Sequence, residues 1–168
     1  MTAVAMKCLK PQILDDWQAD REIQIADYDA ECEAFRETVN GADLIGTQFF
    51  KGGFQVTGYK MKTYNEELPV GWRREANSWN AVPAKRTPEG KAIAKQLTTL
   101  SLADNDHPGV PNWLHCEGFS IFPSVEKIGD GWWLTMSKKP YDKDMEGFDS
   151  TIWAPAKLSE YYAAKEQA

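Results

Sequence analysis

The sequence predicts an α+β fold. It reads as a single domain over residues 1–168, with an antiparallel sheet built from two hairpins, a long acidic N-terminal helix, a middle helix and a C-terminal helix. Three observations predict this. Apolar residues recur at spacings of three and four after Pro11, the mark of an amphipathic helix. Gly52-Gly53 and Asp130-Gly131 each separate two β-prone runs, the mark of a hairpin. Thr87-Pro88 then opens a second amphipathic segment between the hairpins. The order helix, strands, helix, strands, helix suits helices packed on an antiparallel sheet.

The first helix begins at Pro11, with Asp15 and Asp16 near the positive end of its dipole. Its stripe runs through Leu14, Trp17, Ile25, Tyr28, Cys32, Phe35 and Val39, and Asn40-Gly41 supplies the stop. The acids lie mainly off the stripe. Leu44-Ile45, Phe49-Phe50 and Lys51-Gly52-Gly53 follow, then the β run FQVTGYKMK. Both faces of that run are apolar, which suits a central strand, and Gly58 marks a bulge or a close approach. Residues 65–83 read as a connection. Thr87 is the expected N-cap and Pro88 the first residue of the middle helix, whose stripe is Ile93, Leu97 and Leu100 and whose end is expected near Asp104. A loop rich in Asp, Pro and Gly leads to a weak strand over Gly118–Phe122 and to the second hairpin, Val125 to Ile128 with Trp132 to Met136. The C-terminal helix is expected from about Pro155. No repeat, low-complexity tract or clear linker interrupts the chain.

Composition narrows the class. The chain's 168 residues, 42% hydrophobic and 12% aromatic, suit a packed core. Seven Trp exceed what a core of this size requires, which leaves some to anchor a binding surface. No apolar run is long enough to span a membrane, and MTAVAMKCLKPQ lacks the apolar region of a secretory signal. Cys8, Cys32 and Cys116 are far apart and odd in number, which suits a reduced, cytoplasmic protein.

The formal net charge of −6 argues against general nucleic-acid binding, but its distribution is uneven. Residues 12–43 hold ten acids and two bases, whereas residues 60–95 hold eight bases and four acids. A face selected only for solubility usually mixes signs, so the acidic helix is a candidate docking surface, with Asp20, Asp27 and Glu31 as its representative residues.

The basic region gives the candidate ligand site. Over residues 71–97, Trp72 and Trp79 stand among Arg73, Arg74, Lys85 and Arg86, with Lys91 in the helix that follows. A helix N-terminus attracts anions, an Arg can grip phosphate with two donors, and a Trp can stack a base. No phosphate loop of the GxxxxGK[ST] kind accompanies them. The same residues also read as a capped surface helix with solvated cations and core tryptophans.

Residues 104–118 hold both histidines, His107 and His115, together with Asp104, Asp106, Cys116 and Glu117, but in no zinc spacing. His115 and Cys116, being adjacent, would point apart on a strand. YDKDMEG lacks the EF-hand ligand series. GxSxG, HExxH and GxGxxG are absent. The sequence therefore assigns no catalytic residue, no metal and no cofactor.

LPVGWRRE followed by VPAKRTPEGKAIAKQL resembles small, largely uncharacterised proteins encoded by phages and prophages, in which a Gly-Trp-basic turn precedes a KRTxxGKxIAKxL helix. The resemblance covers residues 68–97. It implies an accessory protein that modulates a host system, and no catalytic or ligand residue. Three readings result: a non-enzymatic protein that docks on a host protein, a nucleotide- or nucleic-acid-binding module, and a small enzyme of unrecognised type. A homo-oligomer is compatible with each.

Overall fold

The computed structural model describes residues 3–168, and they form an α+β fold of helices and antiparallel sheets. In chain order the elements are β1 (Val4–Cys8), α1 (Pro11–Thr38), β2 (Leu44–Gln48), β3 (Phe54–Lys60), β4 (Trp72–Arg74), β5 (Asn80–Pro83), α2 (Pro88–Thr99), β6 (Ser101–Leu102), β7 (Leu114–Cys116), β8 (Phe119–Ile121), β9 (Ser124–Ile128), β10 (Gly131–Met136), α3 (Asp142–Met145), β11 (Trp153–Ala156) and α4 (Leu158–Gln167). A 3-10 turn, Phe50–Gly52, joins β2 to β3. Contacts gather the chain into two compact units, Arg21–Asn105 and the residues on either side of that segment.

The unit formed by the two chain ends carries a four-stranded antiparallel sheet in the order β11-β1-β10-β9. The β9–β10 hairpin turns where Asp130-Gly131 predicts, with Ile128 opposite Gly131 and Gly129 at a φ of 58°. Leu134, Met136, Trp132, Trp153 and Leu14 fill one core of this unit, and Trp133, Ile128, Ala5 and Tyr161 of α4 fill a smaller one. Leu134 is fully buried. β7 and β8 form a separate two-stranded ribbon.

The Arg21–Asn105 unit carries the order β2-β3-β5-β4, with β6 also paired to β3. β3 is central, as its two apolar faces suggest. Gly58 marks both features expected of it. The pairing with β2 skips a residue beside it, and an added Cβ would overlap the Ala81 carbonyl oxygen of β5. Phe35, Val39, Val56, Tyr59, Met61, Ala81, Leu97 and Leu100 form the core.

Several elements differ from the sequence reading. The two hairpins lie in different sheets, because β1 and β11, from opposite ends of the chain, pair beside the second hairpin. β11 occupies residues assigned to the C-terminal helix, which begins at Leu158. The connection over residues 65–83 contains β4 and β5, which pair with each other. α2 ends at Thr99, because Ser101–Leu102 is captured by the edge of β3. Leu14 and Phe35 of α1, and Val39 just past its end, are buried, but Ile25 is 38% exposed, in a turn from Glu22 to Asp27 that is exposed throughout. Arg21 takes an inward place there instead, and its guanidinium donates to the Ala103 carbonyl at 2.9 Å.

Candidate functional site: a cationic cavity and an acidic helix face

The basic and aromatic residues of the 71–97 stretch separate into three groups. Strand alternation sends Trp72 and Arg74 to one face of β4 and Arg73 to the other. Trp72 packs on the core, edge-on to Tyr59 at 4.8 Å between ring centroids and tilted against Phe35 at 6.3 Å. It is thus a structural ring, not a stacking platform.

Arg74 and Trp79 belong to a second group. Tyr64 lies between them, 5.9 Å from Trp79, with the Arg74 guanidinium 4.0 Å from the Tyr64 ring centroid. Arg74 Nη1 also donates to the Tyr64 carbonyl at 3.3 Å. Trp79 keeps 47% of its surface exposed. Tyr64 has no sequence signal of its own, since it enters the group only through the fold of the 65–83 segment.

The third group is a cavity of about 410 Å³ lined by Arg73, Ala84, Lys85 and Arg86. Its geometry follows from a short turn. The Ala84 N–H donates to the Gly71 carbonyl at 2.7 Å, and the Thr87 N–H donates back to the Ala84 carbonyl at 2.9 Å. Lys85 and Arg86 therefore occupy the two central positions of a closed turn held against the start of β4. Among the described residues, none of the three cations forms an ion pair with an acid. The sequence had grouped Lys91 with them, but it is not among the residues lining the cavity.

The helix end beside the cavity is already satisfied. Thr87 Oγ1 accepts the Gly90 N–H at 3.0 Å, Pro88 has no N–H, and Glu89 puts a negative charge in the first turn. The anion-binding tendency expected of that N-terminus is thus largely used up within the chain, and the cations remain.

The acidic face of α1 is the other candidate. Asp20, Asp27 and Glu31 are all exposed and, among the described residues, form no ion pair. The basic stretch is therefore not their direct counterweight. Ile23, which the sequence stripe did not include, stands 61% exposed on the side of α1 away from its buried face. Ala26, Ala30 and Ala34 follow it at spacings of three and four, and all are exposed. Glu31, Ala34 and Thr38 continue into a groove of about 410 Å³ between α1 and α2, completed by Phe35, Gln96, Thr99 and Leu100.

The histidines and cysteines do not assemble a reacting centre. On β7 His115 faces outward and Cys116 inward, as alternation requires. His115 Nδ1 lies 3.4 Å from Asp144 Oδ1, and the ring stands edge-on to Trp113 at 4.3 Å. The Cys116 thiol donates to the Lys139 carbonyl. His107 stacks on Trp17 at 4.3 Å. Burial pushes the Cys8 and Cys32 thiols up, which lowers their thiolate fraction and their nucleophilicity. Among the described residues no three His, Cys, Asp or Glu side chains gather to hold a metal ion, and no helix is long and apolar enough to cross a membrane.

The site features thus define a class by chemistry: an α+β chain with a cavity lined by three cations and a helix face bearing Asp20, Asp27 and Glu31, none of them ion-paired among the described residues. No protein-family model, curated protein or solved structure matches it.

Proposed function

We propose that this chain is a non-enzymatic accessory protein, of the phage or prophage kind, that docks on a host protein through the outer face of α1 and modulates it. The observation that carries this reading is Ile23. A large apolar side chain held out to water has Asp20 and Asp27 one helical turn away on either side, and neither forms an ion pair among the described residues. Solvation explains the acids, while Ile23 heads a continuous exposed apolar strip with Ala26, Ala30 and Ala34 along the same face. The small side chains of Ala26, Ala30 and Ala34 allow close approach along the same face. The partner that fits is a protein with an apolar cleft bordered by Lys and Arg, which receives α1 as a helix in a groove. Electrostatic steering would accelerate the encounter and would weaken as salt is raised.

The test compares affinity capture by the native chain, with mass-spectrometric identification of the partner, and capture by two variants, Ile23→Ser and Asp27→Lys with Glu31→Lys. Both variants change exposed residues, so each should keep its fold. The reading expects the partner to be lost from both. A partner retained equally by both variants would remove α1 from the interface.

A further inference from the structure

We infer that Arg73, Lys85 and Arg86 form a binding site for a compact oligophosphate, the di- or triphosphate group of a small molecule. Three cations line one cavity of a chain whose net charge is −6, and no acid of the described residues pairs with them. Like charges held close together repel, and an anion between them turns that repulsion into attraction. The site is also preorganised. Lys85 and Arg86 sit on a hydrogen-bonded turn and Arg73 on a paired strand, so little backbone freedom is lost on binding.

The lining decides the ligand class. Two guanidinium groups offer planar, forked donors matched to phosphate oxygens, and Lys85 adds a point charge. Among the described residues no aromatic ring lines the cavity. Trp72 is engaged with Tyr59, and Trp79 lies with Tyr64 in the separate group that includes Arg74. The site therefore reads phosphate and not a base. A cavity of about 410 Å³ is larger than a single phosphate requires and accommodates two or three. Three cations, in a chain of net charge −6, are also too few to track a nucleic-acid strand. The Gly90 and Lys91 N–H groups of α2 play no part, since Thr87 accepts both within the chain.

The experiment is calorimetric titration of the full chain with inorganic pyrophosphate, inorganic triphosphate, ATP and a single-stranded oligonucleotide at low and moderate salt. The expected result is saturable binding of pyrophosphate and triphosphate, ATP no tighter than inorganic triphosphate, and affinity that falls with salt. Arg73→Ala and Arg86→Gln should each weaken pyrophosphate binding by about tenfold, the loss expected of one charge-assisted hydrogen bond. Both variants should keep the native thermal midpoint without ligand, and the Asp27→Lys, Glu31→Lys chain should still bind pyrophosphate, which separates this site from the docking face. No saturable pyrophosphate binding, or unchanged binding by Arg73→Ala with Arg86→Gln, would overturn the proposal. So would ATP or the oligonucleotide binding much more tightly than inorganic triphosphate.

Discussion

Trp132 donates its indole N–H to Asp15 Oδ1 at 2.9 Å, joining the β9–β10 hairpin to the first turns of α1 across 117 positions of sequence. Lys127 Nζ reaches the same oxygen, also at 2.9 Å. These hydrogen bonds, that of Lys127 first, hold the Asp15 carboxyl below the usual range. An acid whose folded pKa is depressed adds stability above its unfolded value, near pH 4, and loses that contribution as pH falls through the folded value. Asp15→Asn should therefore flatten the acid limb of stability, measured as urea midpoints from pH 5 down to pH 2. An unchanged limb would show that the contact does not couple protonation to folding.

The alkaline limb should also slope. Burial pushes the phenols of Tyr28, Tyr59 and Tyr161 up, aided by Cys32 at Tyr28, by Glu66 at Tyr59 and by Glu126 at Tyr161. A phenol that holds its proton more tightly when folded contributes fully below its unfolded value, near pH 10, and that contribution is lost as pH rises through the folded value. Thermal midpoints should fall above pH 10, and Tyr161→Phe should make that fall shallower. Below pH 9 the same variant should be less stable by about 1 kcal/mol, because the Tyr161 hydroxyl no longer donates to Glu126.

Core packing sets the scale for substitutions. Leu134 is wholly buried at the centre of the β1–β10–β9 sheet, so Leu134→Ala should cost about 3 kcal/mol in denaturant unfolding. Leu9→Ala, at a side chain 54% exposed, should cost about 0.5 kcal/mol or less. Similar losses at the two positions would contradict the assigned core.

Gly90→Ala tests a sign. Within a helix this change ordinarily stabilises by about 1 kcal/mol. At Gly90 the added Cβ would overlap the Ala84 carbonyl oxygen, which also closes the turn carrying Lys85 and Arg86. The variant should be destabilised and should bind pyrophosphate more weakly. A gain in thermal midpoint would show that the turn packs less tightly on α2.

Local signals were legible where the physics is local. Thr87-Pro88 starts α2, Asp130-Gly131 turns the second hairpin, and Gly58 marks the close approach to β5. β1, β11 and β6 were not, since each is a short strand whose extended state depends on a partner far away in sequence. The candidate site divides in the same way. The charges of Arg73, Lys85 and Arg86, and of the acids on α1, stand in the sequence, where their lopsided clustering is visible.

By itself, then, the amino-acid order determined the α+β class, the caps and turns, and the separation of acid from base. Only the tertiary structure decided which of those charges meet. Strand alternation in β4 and the turn from Ala84 to Thr87 place Arg73 with Lys85 and Arg86 while sending Trp72 to the core and Arg74 to Tyr64. The physical reason is that charge is a property of each residue, whereas convergence depends on which backbone segments pair, here β4 with β5 and Gly71 with Ala84.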